Sequence, residues 1–120
     1  MYERHELGKF GEEVAENYLI NNKYLLIQKN FRCNFGEIDI IARDVKKDEI
    51  VFIEVKTRKN TLYGNPAEAV DERKRKHIFK TAQYFLYLYN LEHEYVRIDV
   101  IEVFVNTNNT FKINHIKQAF

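Results

Sequence analysis

The sequence predicts an α/β domain in which a central mixed β-sheet is flanked by helices, with the elements in the order αβββαββ. Two stretches, residues 6–22 and 66–90, repeat apolar residues at three- and four-residue spacing, as amphipathic helices do. Apolar segments separated by polar turns lie between and after them, which is typical of strands. We expect these strands at residues 24–31, 36–43, 49–58, 95–105 and 111–116. Elements in this order build a layered domain around one sheet.

A few asparagine, glycine and proline residues are expected to mark the boundaries of these elements. The first helix is expected to end at Asn21 and Asn22, and Gly36 opens the second strand. Only residues 44–48 join the second strand to the third, so these two strands should pair antiparallel. Pro66 lies where the first residue of a helix often lies, so the second helix is expected to begin there. The expected buried stripe of that helix is Ala69, Val70, Ile78, Ala82, Phe85, Leu86 and Tyr89.

Composition narrows the class of protein. With 120 residues, of which 45% are hydrophobic and 31% charged, the chain predicts one folded domain spanning residues 1–120. The net charge is only +1, so nucleic-acid binding would need a local basic patch. Cys33 is the single cysteine, which excludes an intrachain disulfide and favours a reducing, cytoplasmic location. No apolar run approaches the roughly 18 residues of a membrane-spanning helix, so no membrane association is expected.

Two carboxylates and one amine stand near the ends of the second and third strands. Asp39 lies in Gly36-Glu-Ile-Asp-Ile-Ile-Ala, and Glu54 and Lys56 lie in Phe52-Ile-Glu-Val-Lys-Thr-Arg. If these strands pair across the turn, Asp39 approaches Glu54, and like charges that close repel unless a cation lies between them. Carboxylate oxygens beside a lysine suit a divalent cation for phosphodiester hydrolysis. The alternative is that Glu54 pairs with Lys56 or another neighbour on a solvated sheet face.

The alternation of a strand predicts which side chains accompany Asp39. Because residues two apart share a face of a strand, Glu37 should lie on the face of Asp39. By the same rule, Ile38 and Ile40 should share the opposite face. The second strand is therefore expected to present one acidic face and one apolar face at this point.

The first helix offers a further acidic candidate. It carries Glu12, Glu13 and Glu16, and acidic residues early in a helix are usually solvated and favoured by its dipole. Glu12, beside Gly11, is the member best placed to reach the metal site. The alternative is that all three are ordinary surface residues.

A basic stretch early in the second helix supplies candidate DNA contacts. Residues 71–77 read Asp-Glu-Arg-Lys-Arg-Lys-His, a strong local concentration of positive charge in a nearly neutral chain. Lys74 and Lys76, with Arg58 at the end of the third strand, are candidates to contact backbone phosphates and make binding salt-dependent. Tyr63, in the polar loop between them, is a candidate base-stacking residue. The alternative for the basic stretch is an ordinary solvated helix face.

Several motifs occur together in a recognisable order over nearly the full chain. They are Gly8-Lys-Phe-Gly-Glu-Glu-Val-Ala, Asn30-Phe-Arg, Gly36-Glu-Ile-Asp-Ile-Ile-Ala, Phe52-Ile-Glu-Val-Lys-Thr-Arg, Gly64-Asn-Pro-Ala-Glu-Ala-Val, Lys74, Arg97-Ile-Asp-Val and His115-Ile-Lys-Gln-Ala-Phe. On these motifs the chain resembles the YraN-like family, small bacterial proteins described as uncharacterised or predicted endonucleases. The resemblance implies a restriction-endonuclease-like core of the PD-(D/E)XK class. The chain is also similar to archaeal Holliday-junction resolvases, which place a glutamate on the first helix ahead of an Asp…Glu-x-Lys core.

The resemblance assigns roles to individual residues. It implies that Asp39 and Glu54 are metal-binding carboxylates and that Lys56 is the catalytic lysine. Glu12 matches the helix glutamate of the resolvases, because a glycine stands four residues before it in both. The metal would be held by Asp39, Glu54 and the backbone carbonyl of Val55, with Glu12 as a candidate further ligand.

The expected function is a Mg²⁺- or Mn²⁺-dependent endonuclease acting on DNA, with branched or otherwise structured DNA as a candidate substrate. A resolvase-type enzyme cuts two strands symmetrically, which would imply a homodimer. Two alternatives stay open. One is a non-catalytic nucleic-acid-binding or adaptor domain that keeps the nuclease fold, and the other is a structural protein whose charged strand residues pair with one another.

Overall fold

The structure is a computed structural model that describes residues 4–59, 71–108 and 110–120. In these residues two helices and five strands follow the order αβββαββ, which confirms the predicted α/β class and element order. Their bounds are α1 Arg4–Asn21, β1 Tyr24–Cys33, β2 Gly36–Asp44, β3 Glu49–Lys59, α2 Glu72–Leu88, β4 Val96–Val105 and β5 Phe111–Ile116. Within the described ranges, neither helix is long and apolar enough to cross a membrane.

The described strands form a single mixed sheet with the spatial order β1-β2-β3-β4-β5. Neighbouring strands pair antiparallel except β3 and β4, which are parallel. A parallel pair needs a crossover connection, and the segment between β3 and β4 contains α2. The predicted antiparallel pairing of β2 with β3 is confirmed. Asp44 lies opposite Glu49 beside the turn, and Ile40 lies opposite Ile53 at the far end of the ladder.

One helix packs on each face of the sheet and covers an apolar core. The α1-face core consists of Val14, Ala15, Leu19, Tyr24, Ile40, Ala42, Val51, Ile53, Ile101, Val103 and Val105. The α2-face core consists of Phe31, Ile38, Ile41, Ile50, Phe52, Ile78, Ala82, Phe85, Leu86 and Ile98. Because both faces of β2, β3 and β4 are covered, these strands have nearly continuous apolar runs in place of a strict polar–apolar alternation.

Strand β2 departs from regular alternation at Asp39. Ile38 belongs to the α2-face core and Ile40 to the α1-face core, so the prediction that they share a face is wrong. Alternation holds only along a regular strand, and the ladder between β2 and β3 stops at Ile40. In the neighbouring β1, Asn30 has a φ of 52°, which marks a local irregularity of the backbone beside this point. The departure therefore falls on the candidate metal-binding residue.

Helix α2 begins later than predicted. Asp71 is its N-cap, with an extended backbone and a side chain that accepts a hydrogen bond from the Lys74 N–H at 2.8 Å. Because this cap satisfies a backbone donor that has no partner within the helix, the helix begins at Glu72 and not at Pro66, which lies outside the described residues. Of the predicted stripe, the buried members are Ile78, Ala82, Phe85 and Leu86, the exposed member is Tyr89, and the members outside the described residues are Ala69 and Val70.

Candidate functional site

Asp39 and Glu54 meet inside the sheet, at the point where the pairing of β2 with β3 stops while β3 remains paired with β4. Each stands one residue beyond the last paired residues of that ladder, Ile40 and Ile53. Oδ2 of Asp39 accepts a hydrogen bond from the backbone N–H of Val55 at 2.8 Å, which ties the β2 carboxylate to β3. Both carboxylates line the same cleft. The structure thus brings together the two acidic residues that the strand motifs singled out.

The cleft is formed by the start of β2, the middle of β3 and the first two turns of α2. Gly36 allows β2 to approach α2 closely, since its φ is 152° and a Cβ there would lie 3.2 Å from Oγ1 of Thr81. This close packing forms one wall of the cleft. Besides Asp39 and Glu54, the lining residues are Gly36, Glu37, Lys74, His77 and Ile78.

Both carboxyl groups of the cleft are harder to ionise than ordinary ones. Burial, followed by the neighbouring Glu54 carboxylate, raises the pKa of Asp39 from 3.8 to about 7, although the hydrogen bond from Val55 acts in the opposite direction. Burial also raises the pKa of Glu54, although the charges of Lys74 and Lys56 act to lower it. Two buried carboxylates that disfavour each other's charge form a site that a bound cation would stabilise.

Lys74 of α2 forms an ion pair with Glu54 inside the cleft. Its Nζ lies 3.3 Å from Oε1 of Glu54, and the lysine side chain is 48% exposed against 14% for the glutamate. Lys74 is one of the predicted phosphate contacts, and the structure places it against a candidate metal ligand. The same ion pair is what the structural alternative requires, because it satisfies Glu54 with a neighbouring lysine.

Glu12 lies in a groove that adjoins the cleft. A Cβ on Gly11 would fall 1.7 Å from Oγ1 of Thr57, so only glycine lets α1 pack this closely on β3. Glu12 lines the groove together with Glu37, which also lines the cleft. Burial, followed by the Glu37 carboxylate, raises the pKa of Glu12, and the charge of Glu54 contributes. Glu12 is therefore within electrostatic reach of the cleft without being part of its lining.

The oxygen donors of the cleft fit a hard divalent cation. Asp39 and Glu54 offer carboxylate oxygens in the cleft, whereas Val55, whose carbonyl is the third predicted ligand, lines the adjoining groove. Among the described residues, no group of three or more His, Cys, Asp or Glu side chains is arranged to hold a metal ion. Two carboxylates completed by a carbonyl and water suit Mg²⁺, which keeps several of its waters and commonly takes one or two protein carboxylates. The participation of Glu12 stays a prediction.

The other predicted site residues have different surroundings. Lys56 shares the β3 face of Glu54, and its charge lowers the pKa of that carboxyl group. Nε of Arg58 lies 3.6 Å from a buried glutamate of β4, so this guanidinium is engaged within the sheet. Lys76 is exposed on α2, and Tyr63 lies outside the described residues. The roles of Arg58, Lys76 and Tyr63 in DNA binding stay predictions.

Two polar residues of the cleft lining, Glu37 and His77, are absent from the predicted set. Glu37 precedes Asp39 by two residues, and His77 follows Lys74 by three, which is about one helical turn. Both spacings are visible in the sequence. They become informative only when β2 and α2 are known to face each other across a cleft.

A second polar cluster lies toward the α1 face of the sheet, and the meeting of its residues was not predicted although Arg97, Asp99 and His115 stand in the motifs. This Arg97 cluster consists of Tyr24, Asp44, Glu49, Arg97, Asp99 and His115. Arg97 donates two hydrogen bonds to Asp99, at 2.9 and 3.0 Å, and one to Asp44 at 2.9 Å. It also donates to Glu49 at 3.0 Å and to the Tyr24 hydroxyl at 2.9 Å. Asp99 is further hydrogen-bonded to Nε2 of His115 at 2.7 Å.

The pKa values of the carboxylates in the Arg97 cluster are shifted in the opposite direction from those of the cleft, although burial acts to raise both. Burial acts to raise the pKa of Asp99, but hydrogen bonds from His115 and Arg97 outweigh it and lower that pKa. The pKa of Asp44 is likewise lowered, because its bonds to Arg97 and to the Lys47 backbone outweigh burial. This cluster is therefore satisfied by its own partners.

Comparison with known proteins identifies relatives over almost the whole chain. A protein of Clostridium botulinum (strain 657 / Type Ba4), described as a UPF0102 protein, is 49% identical over 117 residues, covering 96% of this chain and 94% of its own. A UPF0102 protein of Caldicellulosiruptor bescii is 47% identical over 117 residues, covering 96% of this chain and 97% of its own.

A crystal structure described as that of SSO0001 aligns over 93% of this chain and 51% of its own, with 17% identity and a TM-score of 0.37, a likeness too weak to support an argument. The profile of the uncharacterised protein family UPF0102 matches residues 11–103. This match agrees with the expectation of an uncharacterised, YraN-like family. The chain belongs to the uncharacterised protein family UPF0102.

Proposed function

We propose that this protein is a divalent-metal-dependent endonuclease that hydrolyses phosphodiester bonds of DNA. The observation that carries the proposal is the meeting of Asp39 and Glu54 in one cleft, where burial and the Glu54 carboxylate raise the pKa of Asp39 to about 7. Carboxylates perturbed by burial and by each other, and lining a cleft, are typical of functional sites. The resemblance to restriction-endonuclease-like proteins supports the proposal, because it points to the same residues.

The residues of the cleft divide the chemistry among them. Asp39 and Glu54 would hold Mg²⁺ or Mn²⁺ with the carbonyl of Val55, and the bound ion would supply an acidified water and neutralise phosphate charge. The N–H of Val55 keeps the Asp39 carboxylate oriented. Lys56, on the same strand face as Glu54, would orient the attacking water or stabilise the charge that develops on the phosphate.

The start of α2 would bring the DNA backbone to the cleft. Lys74 lines the cleft and Lys76 is exposed one turn into the helix, where both can meet phosphates. From the similarity to resolvases we propose branched or otherwise structured DNA as the substrate. Symmetric cleavage of two strands would then require two active sites, and hence a homodimer.

The Lys74–Glu54 ion pair favours a second candidate function. In a nucleic-acid-binding or adaptor domain that does not cleave, the lysine 3.3 Å from Glu54 would neutralise this carboxylate permanently. The cleft would then hold no metal ion, and nucleic acid would be bound by the basic helix beside it. The two functions make opposite predictions for DNA cleavage, because only the nuclease would show cleavage that requires both a metal ion and Glu54.

The test measures cleavage of labelled duplex, single-stranded, flap and four-way-junction DNA with Mg²⁺ or Mn²⁺. In a nuclease, Asp39→Asn and Glu54→Gln should each lower the cleavage rate at least about 100-fold, because each removes a charge that acts on the transition state. Asp48→Asn is the matched control, since this carboxylate is 83% exposed in the turn between β2 and β3. Junction binding without any cleavage would favour the adaptor, and full cleavage by both site variants would contradict the proposed site.

A further inference from the structure

An exposed aromatic surface continues from the cleft along α2. The groove at this surface is lined by Phe35, Lys80, Gln83, Tyr84, Leu86, Tyr87, Glu92 and Val96. Phe35 is 44% exposed, Tyr84 37% and Tyr87 65%, although each is a large ring that burial would stabilise. Contiguous exposed aromatic residues on one side of a helix commonly mark a surface that binds something. We call Phe35, Lys80, Tyr84 and Tyr87 the aromatic strip.

The aromatic strip is connected to the cleft through both the β1–β2 turn and α2. Phe35 directly precedes Gly36, which lines the cleft, and its ring lies 6.2 Å from that of Tyr84 in an edge-to-face arrangement. On α2, the residues His77, Lys80, Tyr84 and Tyr87 follow one another at three- and four-residue spacing, so they form one stripe. His77 is the cleft end of that stripe.

The chemistry of the strip combines rings with positive charge. Nζ of Lys80 lies 5.9 Å from the centroid of the Phe35 ring, so the cation and the aromatic face are presented together. Rings on which bases stack, accompanied by lysines that meet phosphates, are how proteins bind single-stranded nucleic acid. A surface for a second copy of the chain would be expected to avoid lysine, which is depleted at the centre of protein–protein interfaces.

The length of the strip defines how much of a strand it accommodates. From His77 to Tyr87 the helix rises roughly 15 Å, which corresponds to about four stacked nucleotides of one strand. The basic first turns of α2, which carry Lys74 and Lys76, lie at the cleft end of this stripe. A strand laid along α2 would therefore stack its bases at one end and present phosphates to the cleft at the other.

We propose that the aromatic strip binds an unpaired DNA strand next to the scissile bond, so that the substrate is DNA with a single-stranded segment. The role of the bound strand as a substrate rests on the proposed nuclease function, because the strip would deliver the strand to the cleft. The binding itself depends on the strip and on the lysines of α2. Asp39 and Glu54 take no part in it.

The experiment measures fluorescence anisotropy of labelled oligothymidine and of a blunt duplex in EDTA, where metal-dependent cleavage is stopped. Phe35→Ala and Tyr87→Ala should each weaken binding of the single strand about 5- to 100-fold, since each removes a stacking ring. Phe111→Ala is the matched control, because Phe111 is 50% exposed on β5 and belongs to another surface. Should Phe35→Ala fail to fold, Tyr87→Ala decides, because its ring is the most exposed of the three.

The outcomes separate this inference from the nuclease proposal. Weaker single-strand binding by the strip variants supports the inference even if no DNA is ever cut. Unchanged single-strand binding overturns it, even if the parent protein is an active nuclease. Sedimentation of the same variants tests the other occupant of the strip, because a parent dimer that Tyr87→Ala converts to monomer would assign the strip to a second copy of the chain and overturn the inference.

Discussion

Carboxylates lie toward both faces of the sheet, buried toward the α1 face and half-buried toward the α2 face, and their surroundings are opposite. Toward the α1 face, Asp99 and Asp44 receive hydrogen bonds from Arg97, and their pKa values are lowered. Toward the α2 face, Asp39 and Glu54 line one cleft, and their pKa values are raised. A buried ion is tolerated when partners compensate for lost hydration. The first cluster meets that condition from within the protein, whereas the second would meet it fully with a cation.

The contrast shows which observation separates a structural polar cluster from a candidate catalytic one. Both clusters contain acidic residues on apolar strands, and both have a basic partner. They differ in how fully the basic partner is hydrogen-bonded, since the Arg97 guanidinium makes five hydrogen bonds to its neighbours. Lys74 reaches Glu54 from a half-exposed position and leaves the pKa of Glu54 raised. Incompletely compensated burial is therefore the property that separates the candidate site from the structural cluster.

Removing Arg97 should give the largest effect on stability. Arg97→Met keeps most of the side-chain volume and leaves Asp99 and Asp44 buried without their main donor, which should lower the free energy of unfolding by about 3 to 5 kcal/mol. Arg43→Met is the control, because Arg43 pairs with Asp48 and Glu94 near the surface and should cost at most about 1 kcal/mol. Denaturant unfolding at neutral pH measures both, and equal losses would remove the distinction between satisfied and surface pairs.

Neutralising one aspartate in each cluster should change stability in opposite directions. In the metal-free protein at pH 8, Asp39→Asn should raise the free energy of unfolding by up to about 4 kcal/mol, because it removes a carboxylate that is costly to ionise. Asp99→Asn should lower the free energy of unfolding, because it weakens the bonds to Arg97 and His115. Chemical denaturation of both variants would decide the point.

The raised pKa of Asp39 predicts how its contribution to the free energy of unfolding changes with pH. Its folded pKa of about 7 lies above its ordinary value of 3.8, so the folded state holds the proton more tightly than the unfolded state. The contribution of Asp39 to stability therefore falls as pH rises from about 4 to about 7, and it changes little outside that window. The benefit of Asp39→Asn should vanish near pH 4. A benefit of equal size at pH 4 and pH 8 would contradict the raised pKa.

The smallest expected effect concerns the lysines of α2. Lys76→Ala should weaken DNA binding only a few-fold and reduce the slope of log affinity against log salt by about 1, as expected for one lost phosphate contact. Lys74→Ala should do the same and also raise the pKa of Glu54 further, because Lys74 lowers it in the parent. Lys47→Ala, on the exposed turn between β2 and β3, is the control. An unchanged salt slope in both α2 variants would remove this helix from the DNA interface.

Much of the fold could be predicted because local patterns report local structure. The five strands and both helices were expected close to their observed positions, and the short turn at residues 44–48 correctly implied antiparallel pairing of β2 with β3. The start of α2 was misplaced because the capping bond of Asp71 decides it, and Pro66 only permits a helix. The shared face of Ile38 and Ile40 was wrong because alternation presumes a regular ladder, which ends at Ile40.

The candidate site was predictable in its residues but not in its environment. Asp39 and Glu54 could be paired from strand spacing alone, whereas Lys74, Glu37 and His77 join them only through the packing of α2 on β2. Glu12 was expected at the same centre, and the structure places it in the adjoining groove. Side chains from distant segments of the chain meet through tertiary packing, which has no local signature.

Local sequence patterns were sufficient to predict the elements, their order and the acidic residues on apolar strands. Asp39 stands in Ile-Asp-Ile and Asp99 in Ile-Asp-Val, so their immediate sequence neighbours do not distinguish them. The packing of distant segments places Asp99 beside a guanidinium and an imidazole, and Asp39 beside another carboxylate. The energy of a buried charge depends on what surrounds it within a few ångströms, and those neighbours come from other strands and helices.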